Sequence, residues 1–513
     1  MISFHLPRYA LFPYERRLAS MELQSLAETR PRVNAGSFST PSFRSWKHVA
    51  RKTTYFDRVT ATDGIVVPTQ ALLEKSASRT AIRRQSTRYS AHGLHDYKGK
   101  FNPQVVRAVG NIIGLKPGSR VLDPFCGSGT VLVEAIHNGW AADGIDLNPL
   151  AIEIAQAKTH ALLDPGSLLQ ALDVLVLRLD HLRSVGRNGT AISRDETRRL
   201  ARHADGTGRT NNDYAASWFC SSVLAQIDAI LSEVGRLGDQ NIERVFQVVL
   251  SNLLRSVSHQ DEADLRVRRR KEPLQNAPLI DVFLTSASVR LQEVASARAV
   301  LGQRSQSVVQ ATLGDSSDVL AQRSEAVYDA VITSPPYAMA LPYIDTQRLS
   351  LAVLGLVPPG DLARLERNLI GSRDIPVHER RSREAEIQSG EVHLPRRSLN
   401  LCRRLLNALG DGDGFRRTNM PALLSRYLVG MSRFLEKCRP CIKAGGHLAM
   451  VVGKNETNIG GRQWKIDTPG FLAEIAEYAG YTVVDVLPLD AYQRYGLHAA
   501  NSIREESLVL LRA

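Results

Sequence analysis

Ser334, Pro335, Pro336 and Tyr337 follow the apolar run "YDAVIT" without a break. Proline fixes its own φ, lacks an N–H, and keeps the residue before it extended. Two in succession make a stiff corner at the end of a strand, with carbonyls the sheet cannot use. The Pro335 carbonyl and the Ser334 hydroxyl are hydrogen-bond acceptors suited to holding N–H groups, and the hydroxyl can also relay a proton. Tyr337 adds a flat face for stacking. This is a rigid, acceptor-rich corner.

A second set lies upstream. "VLDPFCGSGT" places Gly127 and Gly129 where a strand turns into a helix. Glycines there let the backbone approach a ligand, and the helix start offers free N–H groups. Asp146 ends the next apolar run, 23 positions after Asp123, close to the offset of roughly 20 at which a carboxylate meets ribose hydroxyls. A dinucleotide site would carry a third glycine where Leu132 stands. A ribose-bearing ligand without a diphosphate fits better.

Residues 123–130, Asp123-Pro124-Phe125-Cys126-Gly127-Ser128-Gly129-Thr130, resemble the cofactor motif of the amino-group DNA methyltransferases, which methylate N4 of cytosine or N6 of adenine. Thr333 to Tyr337 resemble their catalytic motif, in the Ser-Pro-Pro-Tyr form commonest among the N4-cytosine enzymes. Residues 95–106, "HDYKGKFNPQVV", are similar to the segment that closes over the methionine end of the cofactor, and "LGDSSDV" resembles the third motif. The resemblance covers roughly 92–160 and 308–356, and more weakly 440–512. It implies S-adenosyl-L-methionine as cofactor, held by Asp123, Phe125, Gly127, Gly129, Thr130, Asp146 and Asp315, the last beside the adenine ring. It implies Ser334, Pro335, Pro336 and Tyr337 as catalytic residues and DNA as partner, and it admits a restriction endonuclease in the same system. A base inside a duplex would have to flip out to reach such a site.

Three alternatives stay open. Adenine-N6 enzymes usually carry Asp or Asn where Ser334 stands. Guanine-N2 tRNA methyltransferases share a similar "DPFCGSGT" stretch, but typically have an acidic residue before Pro-Pro-Tyr and an RNA-binding N-terminal domain. A nucleic-acid-binding protein with a degenerate fold is the non-catalytic reading. Against it stand the intact Gly127, Gly129, Asp146 and Ser334.

The elements that must position these residues follow from pattern. Residues 120–158 read as strand, Gly-rich turn, helix, strand, turn, helix, which predicts βαβ units and a parallel sheet. Apolar residues step by three and four from Phe219 to Val234 and from Ile242 to Val257, predicting helices. The expected fold is α/β, a doubly wound Rossmann-like methyltransferase sheet with a helical insertion and a basic N-terminal extension. Its parts run as an extension at 1–90, the cofactor half at 91–164, and a mainly helical insertion at 165–305. The catalytic half at 306–356, a polar insertion at 357–417 and the rest of the sheet at 418–513 complete it. The two insertions are the candidate target-recognition regions.

Charge bears on the partner. Residues 1–100 carry 17 Lys/Arg against 7 Asp/Glu, most of the net +13 of the 513-residue chain. Such an excess suits a phosphate backbone. "LRVRRRKEP" (265–273) and "HERRSRE" (378–384) are further basic clusters that serve either phosphate contact or a solvated face. Five scattered cysteines, an odd number, form no disulfide framework and suggest a reducing compartment. Cys438 and Cys441 lack the second ligand pair of a zinc site. Tyr343, Asp345 and Arg348 are expected at a helix start after the corner. With no signal peptide and no apolar run near the roughly 20 residues of a membrane span, a cytoplasmic protein is expected.

Overall fold

The computed structural model describes residues 1–77, 85–185, 213–262, 267–302, 307–323, 325–338, 343–490 and 505–513. Its centre is a seven-stranded sheet of order β13-β14-β10-β9-β6-β7-β8. The strands are β6 (Arg120–Asp123), β7 (Ala141–Asp146), β8 (Val309–Leu313), β9 (Tyr328–Thr333), β10 (Ile442–Gly453), β13 (Thr482–Asp490) and β14 (Glu505–Arg512). From β8 to β10 the pairings are parallel, while β14 runs antiparallel to both its neighbours. The chain winds outward from β6 through β7 to β8, then returns to β9 on the other side. β6 and β9 therefore flank the switch point, where ligands of open α/β sheets bind. The doubly wound α/β fold expected from the sequence is the fold observed.

Local chemistry explains the helices beside that point. "FNP" and "LNP" each put an asparagine at the N-cap and a proline at the first helical position. Asn102 accepts from Gln104 N at 2.9 Å to open the helix Pro103–Ile112, and Asn148 accepts from Leu150 N at 3.1 Å to open Pro149–Leu163. Their apolar faces, with that of helix Thr130–Asn138, bury against the sheet.

Residues 1–75 are a folded layer rather than a loose extension. β1 (Ile2–His5), β2 (Arg32–Val33), β3 (Ser37–Thr40), β4 (Arg58–Ala61) and β5 (Gly64–Val66) form an antiparallel sheet of order β2-β3-β1-β4-β5. Phe4, Phe38, Phe56 and Leu18 share one core with Val105, Trp140, Ile332 and Leu508, so this layer closes one face of the central sheet. The opposite face is closed by helices Met420–Cys438 and Thr468–Tyr478.

Helices Pro165–Leu179, Ser221–Gly235, Gln240–Leu254 and Leu279–Leu301 form the helical insertion, with a core continuous with helix Pro149–Leu163. The polar stretch expected at 357–417 also folds. Helices Val377–Ser389 and Arg396–Asn407 bury Ile387, Cys402 and Leu405 against helix Met420–Cys438 and turn their arginines outward. β11 (Asn455–Ile459) and β12 (Arg462–Ile466) form a separate hairpin. Among the described residues no helix is long and apolar enough to cross a membrane.

Candidate active site

The loop after β6 is stitched to the end of β7. Cys126 N donates to Ile145 O at 2.9 Å, Gly127 N to Asp146 Oδ2 at 2.9 Å, and Asn148 N to Asp146 Oδ1 at 2.9 Å. Asp146 is thus held by a backbone donor on each oxygen, with lone pairs to spare. Burial outweighs those donors and pushes its carboxyl up to about 6. Gly127 has φ +48°, and a Cβ there would lie 3.3 Å from the Tyr97 ring, which closes over the loop from the 95–106 segment. Gly129 has φ +75°, and a Cβ would come within 2.8 Å of Ala155 Cβ. One glycine lets the Tyr97 ring settle directly on the loop, whereas the other permits close packing of helix Pro149–Leu163.

Asp123 and Thr130 are buried, and Phe125 is half-buried, edge-on to Phe434 with ring centroids 4.9 Å apart. Asp123 Oδ1 accepts from Phe125 N at 3.2 Å and from Thr333 Oγ1 at 2.6 Å. Burial nonetheless pushes its carboxyl up to about 7. These contacts make Asp123 a brace of the loop. Asp315 N-caps the helix Ser316–Ala321, accepting from Ser317 N and Asp318 N. The same segment reaches both neighbours, since Gly314 N donates to Asp146 O at 2.9 Å and Ser316 Oγ to Pro124 O.

The proline corner stands at the end of β9, beside this loop. Ser334 is half-buried, and its hydroxyl donates to Val451 O of β10 at 3.2 Å. With its proton committed, Oγ keeps lone pairs for an incoming N–H. Pro335 is buried, Pro336 and Tyr337 half-buried, and the Pro335 carbonyl accepts no hydrogen bond among the described residues. Tyr337 OH donates to Glu506 Oε1 at 2.8 Å, and Tyr337 N donates to Tyr343 OH at 3.0 Å. Asn455 Nδ2 donates to Ala338 O at 2.5 Å. β14, the turn at Tyr343 and the β11–β12 hairpin therefore all hold the corner. Residues 339–342 lie outside the described residues.

Two groups escaped the sequence reading. Glu506, whose carboxyl burial raises, fixes the Tyr337 hydroxyl. On the helix that follows the glycine loop, Glu134 Oε1 accepts from Tyr89 OH at 2.8 Å and from His92 Nε2 and His137 Nδ1 at 2.9 Å each, while Arg107 Nε donates to Oε2 at 3.2 Å. His92, Glu134 and His137 bring three metal-type ligand atoms within 4.8 Å of one another. The buried guanidinium already balances the carboxylate charge, so the group works as a polar clamp. It anchors residues 89–92 to helix Thr130–Asn138.

Other expectations resolve plainly. Arg269 stacks on Trp218 at 4.5 Å and Arg270 donates to Ser258 O and Ser256 O, so that cluster folds onto the helical insertion; Leu265 and Arg266 lie outside the described residues. In 378–384, Arg380 and Arg383 pair with Glu384 and Glu386 on their own helix. Cys438 and Cys441 are buried with thiols pushed up by burial, and all five cysteines are free. Asp345 pairs with Arg348 at 3.5 Å.

Residues 93–156 match the family model described as RMKL-like, methyltransferase domain. These residues are thus similar to a methyltransferase domain. A type II methyltransferase, M.MjaII, from Methanocaldococcus jannaschii is 43% identical over 74 residues, which are 13% of this chain and 12% of that protein. A tRNA (guanine(10)-N2)-dimethyltransferase from Methanothermobacter thermautotrophicus is 40% identical over 57 residues, 11% of this chain and 17% of that one. The chain thus matches well under half the length of either relative. A type II methyltransferase, M.AvaI, from Nostoc sp. is 22% identical over 469 residues, covering 84% of this chain and 89% of that protein.

Proposed function

We propose that the protein is a DNA methyltransferase that moves a methyl group from S-adenosyl-L-methionine to the exocyclic N4 amine of cytosine. The observation that carries this reading is the Ser-Pro-Pro-Tyr corner at the end of β9, braced to the glycine loop after β6 through Thr333 and Asp123. The short matches fall in a type II methyltransferase and in a tRNA dimethyltransferase alike, whereas M.AvaI, aligned over 84% of this chain, is named a type II methyltransferase. Ser334, where tRNA guanine-N2 enzymes typically carry an acidic residue, favours DNA as well.

The site residues fit the cofactor. Gly127 lets the backbone of the loop lie bare beside Tyr97, and the spare lone pairs of Asp146 suit ribose hydroxyls. Phe125, Thr130 and Asp315 border the same loop, with Asp315 assigned to the adenine side. When bound, S-adenosyl-L-methionine supplies a methyl group on a sulfonium.

The chain's own residues aim the amine. The cytosine amine is a poor nucleophile because its lone pair is delocalised into the ring. Ser334 Oγ and the Pro335 carbonyl each accept one N–H, which returns electron density to nitrogen and fixes its direction. The prolines keep the acceptors still, and Tyr337, its hydroxyl held by Glu506, offers the stacking face, worth about 1–3 kcal/mol. After transfer the methylated amine is a cation and strongly acidic, and it loses its surplus proton to water. A cognate restriction endonuclease is the proposed biological partner. Identifying the modified nucleosides in DNA treated with the protein tests the reading.

A further inference from the structure

A basic groove of about 910 Å³ lies between helix Arg396–Asn407 and the β11–β12 hairpin. Six cationic side chains, Arg396, Arg397, Arg403, Arg404, Arg462 and Lys465, line it against two carboxylates. Arg396, Asn400 and Arg404 recur at four-residue steps, so they stack along one helix face. That face opposes the one buried through Ser398, Cys402 and Leu405.

Like charges this close repel, and an ordinary solvated face would let them spread. Here aromatic plates hold them together. Trp464 lies between Arg404 at 5.4 Å and Arg462 at 5.2 Å, and Phe471 carries Arg397 at 4.6 Å. Arg396, Arg404 and Arg462 are exposed and form no ion pair among the described residues. Preorganised guanidinium groups with unused donors are what a phosphodiester backbone requires.

The groove is rigidly coupled to the catalytic corner. Asn455 opens the hairpin and donates to Ala338 O, the carbonyl one residue beyond Tyr337, while Thr468 Oγ1 donates to Asn455 Oδ1 at 3.0 Å. At the far end, Gly460 N donates to Asp413 Oδ2 at 2.8 Å, fastening the hairpin turn to the segment after the arginine helix. Helix, hairpin and corner form one body. An enzyme that takes a base out of a duplex must grip the backbone next to that base.

We propose that this groove docks the phosphate backbone of duplex DNA flanking the target base, an assignment that rests on the DNA-methyltransferase reading above. Fluorescence anisotropy with a short mixed-sequence DNA duplex across a salt series tests it, using the wild type, the triple variant Arg396→Ala/Arg404→Ala/Arg462→Ala and the matching triple Lys variant. Loss of three phosphate contacts lowers the slope of log affinity against log salt by about 2.7, at about 0.9 per contact. The Ala triple should show that drop and more than about tenfold weaker binding on every sequence. The Lys triple should keep most of the slope, which separates charge from misfolding. Calorimetric S-adenosyl-L-methionine affinity should be the same in all three proteins. An unchanged slope and affinity in the Ala triple would overturn the docking groove while leaving the methyltransferase reading intact. Wild-type binding to an RNA hairpin but not to the duplex would instead remove the DNA reading, and the groove assignment with it.

Discussion

Thr333 Oγ1 donates to Asp123 Oδ1 across 2.6 Å, and both side chains are buried. This bond joins the last residue of β9 to the last residue of β6, so the acceptor corner and the cofactor loop keep a fixed separation. Thr333→Val removes the donor at nearly constant volume and leaves a buried carboxylate oxygen with only the Phe125 N–H. The expected cost is about 1–3 kcal/mol, read from urea unfolding, together with a slower methyl transfer. Thr333→Ser should restore most of both, and an unaffected stability in the Val variant would exclude the brace.

Ser334→Ala should leave S-adenosyl-L-methionine affinity unchanged and slow single-turnover transfer by about 10². The proline corner keeps its shape without the hydroxyl, so the change isolates one acceptor. Equal single-turnover rates in variant and wild type would remove Ser334 from the chemistry.

Asp146 gives a pH test. Its carboxyl is raised to about 6 by burial, and the ionised form is the acceptor for Gly127, Asn148 and the proposed ribose hydroxyls. Cofactor affinity should therefore fall as pH drops through 6, by up to about tenfold per unit. Folding stability runs the other way for this group. A carboxyl whose folded pKa lies above its ordinary value contributes most at low pH and loses that contribution as pH rises from 3.8 to about 6. Calorimetric titrations at several pH values, on the wild type and on Asp146→Asn, check this. The variant should bind weakly and without the pH dependence.

Glu134 is held well below its ordinary value by His137, Arg107 and their hydrogen bonds, which outweigh its burial. Its contribution to stability is present above 4.5 and is lost as pH falls below that value. Glu134→Gln leaves the buried Arg107 without its ion-pair partner and should cost about 3–5 kcal/mol at neutral pH. In thermal unfolding, the gap from the wild type should narrow as the pH drops below 4.5. A constant gap would show that the charge does not matter.

Much of the site was legible in the sequence because its geometry is local. Gly127, Gly129 and the two prolines each act on their neighbours in the chain, and their types declare it. The long-range partners were not legible. Tyr337 meets Glu506 across 169 positions, Tyr89 meets Glu134 across 45, and Asn455 meets Ala338 across 117. The N-terminal sheet stayed hidden for a related reason. β1 and β3 are four residues each and pair across more than 30 positions, too short for alternation to signal a strand. The arginine helix read as polar sequence because only three of its side chains are buried.

The base itself is the central question, and Ser334 is the residue on which cytosine rests. DNA incubated with the protein and methyl-labelled S-adenosyl-L-methionine, digested to nucleosides and separated by mass spectrometry, answers it most directly. The expected result is label in N4-methylcytosine. Label only in N6-methyladenine, or unlabelled DNA beside labelled tRNA, would contradict it.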